Sequence, residues 1–224
     1  MKEKLSVLVV DDHALIAEGV VVALEGVGVT AHLTTGPTAD DVLAVARLLR
    51  PDVVLLDLQL EGPIQRGTTL IDPLSELGAR VVVLTGVTEP SELGECLEAG
   101  AYGVARKSEA FDSLVEKVLA AAAGDPVTSD QERYALMDSL RGRRAAAKER
   151  LAPFETLTPR EAAVLTELMA GRQADGIAEA HYVSVLTVRS QIRAILRKLE
   201  VTSQIAAVAK AREAGWEPAT VGAH

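Results

Sequence analysis

Cysteine is all but missing from this chain of 224 residues, where Cys96 stands alone. An intrachain disulfide is therefore impossible, and a reducing, cytoplasmic setting is expected. Long apolar stretches are lacking too, with no segment near the roughly 20 residues that cross a bilayer as a helix, so no membrane partner is expected. The apolar run after Lys2-Glu3-Lys4 is interrupted by Asp11-Asp12 and shows no small-residue cleavage pattern, so no secretory leader is expected. A positive excess is the third absence, since the formal net charge is −9. The deficit is local. Residues 1–125 hold 9 Lys+Arg against 20 Asp+Glu, a net of −11; residues 126–150 hold 6 against 4, a net of +2; residues 151–224 hold 8 against 8, a net of 0. Acidity of the first part leaves nucleic-acid binding open for the rest, because a local basic stripe carries that function.

The length exceeds one typical domain, and a hydrophobic fraction of 48% suffices for two cores. A change of texture marks the division, with Gly124-Asp125-Pro126 and Pro153 bracketing a polar, Arg-rich stretch. We expect a first domain over 1–125, a helical linker over 126–153 and a second domain over 154–224. Apolar positions in the linker helix are sparse, at Tyr134, Met137, Leu140, Ala147 and Leu151, and sustain no heptad. A solvated connector is the expectation, with a helix packed between the domains or against a partner subunit as the alternative.

In the first domain, the apolar run Val53-Val54-Leu55-Leu56 closes on Asp57, and Val7-Leu8-Val9-Val10 closes on Asp11-Asp12. Such runs read as central parallel strands buried on both faces. Val81-Val82-Val83-Leu84 ends on Thr85, and a weaker run, Tyr102 to Ala105, leads to Lys107. Helix-period segments lie between and after them, roughly at 14–25, 38–49, 68–77, 90–98 and 109–123. Alternating strands and helices predict a doubly wound parallel sheet of the α/β class. Ligands of such sheets sit beyond the carboxyl ends of the strands. Carboxylates gathered there repel one another unless a cation joins them, and a hard, oxygen-seeking ion such as Mg²⁺ suits. A carboxylate can act as nucleophile toward phosphorus, while Mg²⁺ and Lys107 would neutralise the phosphoryl oxygens and Thr85 would donate a hydrogen bond.

Over residues 5 to 123 these features resemble the receiver domains of two-component response regulators. The resemblance rests on Asp11-Asp12, Asp57, Thr85, and Lys107 after Gly100-Ala101-Tyr102-Gly103. It implies a five-stranded, flavodoxin-like sheet and a phosphoacceptor, Asp57, served by a sensor histidine kinase. It further implies a Mg²⁺ site made by Asp11, Asp12, Asp57 and the backbone carbonyl of Gln59, with Thr85 and Lys107 sensing the phosphate. Two departures stand out. Leu60-Glu61-Gly62-Pro63 follows the acceptor, bringing another carboxylate, Glu61, near the metal. Val104 occupies the position of the family's switch aromatic, and strand alternation assigns Tyr102 to the same face as Val104.

The second domain is expected to hold four helices. Thr158-Pro159-Arg160-Glu161 is a capping box that starts one running to Gly171. A short helix follows at about 174–181, Ser184 caps a third running to about Leu199, and Ser203 opens a fourth. At 100° per residue, Val188, Ile192, Ile195, Leu196 and Leu199 share a face of the third helix. Arg189, Arg193 and Arg197 form a stripe beside them, continued by Ser190 and Lys198. A short helix, a turn and a cationic helix make a helix-turn-helix, whose second helix enters the major groove. Arg pairs bidentately with guanine edges, and Lys and Arg neutralise phosphates.

Leu157 through Gly171, Ile177-Ala178, Thr187-Val188-Arg189 and Ile195-Leu196-Arg197-Lys198-Leu199 resemble the LuxR-type helix-turn-helix over about residues 155–213. That resemblance implies Arg189, Ser190 and Arg193 at double-stranded DNA, and a fourth helix that pairs two subunits. Val185-Leu186 and Asp175 depart from its usual basic and polar residues, and Gly176 costs the scaffold helix about 1 kcal/mol relative to Ala. Together the two halves resemble a response regulator of the NarL/FixJ type, a phosphorylation-controlled transcription factor that forms a homodimer when active. The alternatives are a regulator independent of phosphate, motivated by Val104 and the altered loop, and a protein-binding adaptor, motivated by Asp175 and Val185-Leu186. A phosphohydrolase with an Asp-x-Asp pattern after its first strand is a poor match, since Asp11-Asp12 is adjacent and the best nucleophile follows a later strand. No enzyme activity beyond self-phosphorylation and self-dephosphorylation at Asp57 is expected.

Overall fold

The computed structural model describes residues 4–34, 36, 38–60 and 66–218. The chain divides into two compact units, 1–142 and 143–224.

Five strands form the sheet of the first unit: β1 (Ser6–Val10), β2 (Thr30–Thr34), β3 (Val53–Asp57), β4 (Arg80–Thr85) and β5 (Gly103–Arg106). All pair in parallel, in the order β2-β1-β3-β4-β5. Helices α1 (Ala14–Gly26), α2 (Ala39–Leu49), α3 (Thr68–Glu76), α4 (Pro90–Glu98) and α5 (Phe111–Ala123) cover both faces. The expected doubly wound α/β architecture is thus observed. Side chains alternate across the sheet. Leu8, Val10, Val54, Leu56, Val81, Val83 and Val104 pack with α2, α3 and α4; Val7, Val9, Val53, Leu55, Val82, Leu84 and Ala105 pack with α1 and α5. Burial on both faces is why the central strands are unbroken apolar runs. The edge strand β2, Thr-Ala-His-Leu-Thr, is only partly buried and carries no such run.

Tyr102 corrects one expectation. It precedes β5 at a bend and packs with the α1/α5 side, with the Arg80 guanidinium 5.7 Å from its ring centre, whereas Val104 lies in the opposite core. Period-two alternation applies within a strand, and Tyr102 lies outside this one.

Helix α6 (Asp130–Glu155) corrects a second. Its first turns are no solvated connector: Leu136 and Leu140 are buried, and Leu136 lies so close to α4 that a Cβ on Gly94 would meet its carbonyl oxygen at 2.5 Å. Tyr134 is instead exposed. The helix also continues past Pro153, where Leu151 and Phe154 join the core of the second unit and Phe154 stacks on Trp216 with 5.4 Å between ring centres. Proline removes one hydrogen bond, which the burial of this last turn offsets.

The second unit continues with α7 (Pro159–Met169), α8 (Ala174–Ala180), α9 (Val185–Lys198) and α10 (Gln204–Glu213). The capping box forms as expected, the Glu161 amide donating to Thr158 Oγ1 at 3.3 Å and the Thr158 amide to Glu161 Oε2 at 2.7 Å. Ser184 and Ser203 cap α9 and α10 by accepting from the amides of Thr187 and Ala206. Val188, Ile192, Ile195 and Leu199 bury the apolar side of α9 against Val164, Leu165, Leu168 and Ile177.

Candidate functional site

The carboxyl ends of β1 and β3 bring Asp11, Asp12 and Asp57 together, and one ligand atom from each of these and from His13 lies within 4.8 Å of all the others. Asp11 and Asp57 are each 1% exposed. Lys107, just past β5, reaches over them: its Nζ lies 2.7 Å from Asp57 Oδ2 and 2.8 Å from Asp11 Oδ2. Burial pushes the Asp57 carboxyl above its ordinary 3.8, outweighing the opposing pull of Lys107 and of the Gln59 amide. For Lys107, burial favours the neutral amine, but the bonds to Asp11 and Asp57 prevail and hold its pKa above 10.5.

Local structure fixes these groups. The Gln59 amide donates to Asp57 Oδ1 at 3.2 Å, and the Val87 amide donates to Thr85 Oγ1 at 2.9 Å, which leaves the hydroxyl hydrogen to donate elsewhere. The Lys107 amide donates to the Thr85 carbonyl at 2.9 Å, so the two strand ends are fastened to each other. Gly67 backs the acceptor so closely that a Cβ there would overlap the Asp57 carbonyl oxygen. Glu61, Gly62 and Pro63 lie outside the described residues.

His13 is the residue that periodicity does not reveal. Its Nδ1 sits 2.9 Å from Asp12 Oδ1, 3.2 Å from Asp11 Oδ1 and 3.6 Å from Asp57 Oδ2, with Lys107 Nζ 3.3 Å away. The signal for it is adjacency: it directly follows the acidic pair and precedes α1. Three carboxylates within so small a volume, two of them nearly inaccessible to water, form a hard-oxygen donor set that fits a divalent cation such as Mg²⁺.

On the second unit, Arg189, Ser190, Arg193 and Arg197 are exposed along α9. Among the described residues, none of the three arginine side chains enters an ion pair. Lys198 departs from the stripe. Its Nζ donates to Glu161 Oε2 at 2.6 Å and to the Thr156 carbonyl at 2.7 Å, tying α9 to the start of α7. Although burial raises the Glu161 carboxyl, the bonds from Lys198 and Thr158 outweigh it and hold the group below 4.5. Leu186 is 71% exposed at the start of α9, and Asp175 is exposed on α8.

A parallel α/β unit with a carboxylate and lysine cluster at its carboxyl rim, followed by a helix-turn-helix unit, defines a receiver-type regulator of two parts. The response regulator receiver domain family matches residues 7–119, and the luxR family of bacterial regulatory proteins matches residues 155–211. The chain is 36% identical over 206 residues to the nitrate/nitrite response regulator protein NarP of Escherichia coli, covering 90% of this chain and 91% of that protein. It is 32% identical over 212 residues to a probable transcriptional regulatory protein NarL of Mycobacterium tuberculosis, covering 93% and 94%. Among solved structures, a LuxR-family two-component response regulator from Aurantimonas is 25% identical with a TM-score of 0.52, over 64% of this chain and 99% of that one. The RcsB response regulator of Salmonella typhimurium, 23% identical, shares the fold with a TM-score of 0.50 over 92% and 97%. The chain belongs to the two-component response regulators with a LuxR-type DNA-binding domain, and is a phosphorylation-controlled regulator of transcription. No helix among the described residues is long and apolar enough to cross a membrane.

Proposed function

We propose that Asp57 accepts a phosphoryl group from a sensor histidine kinase in the cytoplasm and thereby controls the binding of Arg189, Ser190, Arg193 and Arg197 to promoter DNA. The observation that carries this reading is Lys107 Nζ at 2.7 Å from the buried Asp57 carboxylate, with Thr85 fastened beside it. A carboxylate oxygen of Asp57 forms the new P–O bond as the P–N bond to the donor histidine breaks, and the departing imidazole takes up a proton. Lys107 then pairs with the phosphoryl oxygens, and the Thr85 hydroxyl donates to one of them. Asp11, Asp12, Asp57 and the Gln59 carbonyl would hold Mg²⁺, which when bound supplies charge neutralisation for the transferring group. Self-dephosphorylation is the only further chemistry assigned to the site.

Thr85 and Lys107 report on phosphate by moving with it, shifting an existing equilibrium between inactive and active states. The active state is a homodimer whose two copies of α9 occupy half-sites about one turn of DNA apart. Lys198 is assigned to the fold, not to DNA, because its charge is already met by Glu161. Incubation of the full chain with Mg²⁺ and a small phosphodonor tests the acceptor: intact mass rises by one phosphoryl group, and peptide mapping locates it on Asp57. A chain that gains no mass, or gains it equally as Asp57→Asn, contradicts the assignment.

A further inference from the structure

β5 is one edge of the sheet, and the outward backbone groups of Val104 and Arg106 on it are occupied, three by side chains and the Arg106 carbonyl by the Glu109 amide at 3.0 Å. The Val104 amide donates to Thr128 Oγ1 at 2.9 Å, and the Val104 carbonyl accepts from Lys117 Nζ at 3.3 Å. On either side, the Tyr102 carbonyl accepts from Arg133 Nη2 at 3.0 Å and the Arg106 amide donates to Glu109 Oε1 at 3.1 Å. Lys117 on α5 pairs with Glu109, just before that helix, at 2.7 Å. Unpaired edges recruit foreign strands, so this seal has one plain consequence in keeping the sheet closed. Thr128 and Arg133 do more, because they belong to the segment that leads into and begins α6.

That segment is pressed onto the unit at two glycines. A Cβ on Gly103 would meet Val127 Cβ at 2.5 Å and Thr128 Oγ1 at 3.2 Å, and a Cβ on Gly94 would meet the Leu136 carbonyl oxygen at 2.5 Å. Thr128 is 3% exposed, so the Val104 amide it serves has no water to turn to. Three residues beyond Val104 on the same stretch of chain stands Lys107, whose Nζ bonds the Asp57 carboxylate. The backbone of Lys107 is itself held at the rim, its amide donating to the Thr85 carbonyl at 2.9 Å.

We propose that Thr128 is a positioning residue, assisted by Arg133, that links the seating of α6 on α4 to the occupancy of Asp57. The proposal rests on Asp57 being the phosphoacceptor. A phosphoryl group on Asp57 is bulkier than the bare carboxylate that Lys107 now bonds, so Lys107 and β5 shift and the clasp loosens. Linkage makes the effect reciprocal, since whatever holds α6 in place also favours the Lys107 position found here. The coupling uses the backbone at Val104, so it needs no aromatic there.

Hydrogen exchange of the full chain, with Mg²⁺ and with or without beryllofluoride as the phosphoryl mimic, tests this, with phosphodonor uptake followed by intact mass on the same preparations. In the parent chain the mimic speeds exchange of residues 130–142 about fivefold. Thr128→Val exchanges fast at 130–142 already without the mimic and gains nothing further from it, while Thr128→Ser, which keeps the acceptor, regains the response. Arg133→Met weakens the response and serves where Thr128→Val does not fold. A Thr128→Val or Arg133→Met chain that takes up phosphate and keeps the parent's full response overturns the proposal. So does a parent chain that takes up phosphate with no change at 130–142. A parent chain that takes up no phosphate fails earlier, at Asp57 itself, and removes both assignments.

Discussion

In the first unit Asp11, Asp57 and Thr85 are each 1% exposed, whereas in the second Arg189, Arg193 and Arg197 stand on an exposed helix face. Each unit also has a lysine bonded to a largely buried carboxylate, Lys107 to Asp57 and Lys198 to Glu161, with opposite results. Lys107 holds Asp57 inside the cluster proposed to take the phosphoryl group, and Lys198 holds Glu161 inside a capping box whose work is structural. Buried charges must be paired and hydrogen-bonded to be tolerated, so the receiver's groups are fixed by one another before any ligand arrives. Exposed arginines need no such partners and keep their charge for a polyanion. One kind of ion pair therefore marks a site in one unit and a brace in the other, and only its place in the fold tells them apart.

Substitutions at the two kinds of position should differ accordingly. The largest effect is expected for Asp57→Asn, which removes phosphodonor uptake altogether, read by intact mass. Next comes Arg189→Ala with Arg193→Ala, which lowers promoter affinity by roughly two orders of magnitude and reduces the salt slope by about two, at unchanged thermal stability. Lys198→Met is expected to behave in the opposite way, losing about 1–3 kcal/mol of stability by stranding Glu161 while the salt slope of DNA binding stays as it was. If the slope falls by about one, Lys198 belongs with the arginines and the contrast between brace and site is broken.

The pH dependence follows from the lowered Glu161 carboxyl. Its contribution to stability is fully present above the ordinary value of 4.5 and is lost as pH falls through its lower folded-state value. Glu161→Gln should flatten that part of an acid denaturation profile. A smaller gain, about 0.5–1 kcal/mol, is expected from Gly176→Ala, because open space surrounds this helical glycine. The smallest effect is expected for Tyr102→Ala: with its ring on the face opposite Val104, sizing of the chain with a phosphate mimic should be unchanged.

Much of this is legible in the sequence where one physical rule governs. The central strands announce themselves because both faces are buried, and Asp11, Asp12, Asp57, Thr85 and Lys107 announce the rim because they end those runs or follow within two residues. Thr158 and Glu161 announce α7 because a capping box is local. β2 does not show itself, since an edge strand needs no apolar run, and His13 escapes because nothing periodic marks it. Lys198 defeats periodicity for another reason. Its place on α9 follows from the helical repeat, but the direction of its long side chain is decided by Glu161 on α7, a contact across 37 residues. Tyr102 fails likewise, because a bend just before β5 decides its face.

If the state of Asp57 governs the arginines of α9, promoter binding measured by fluorescence anisotropy with Mg²⁺ must respond to beryllofluoride. The mimic should tighten binding of the parent chain several-fold and leave Asp57→Asn unaffected. Equal tightening in both chains, or none in a parent chain whose Asp57 is occupied, would contradict that control.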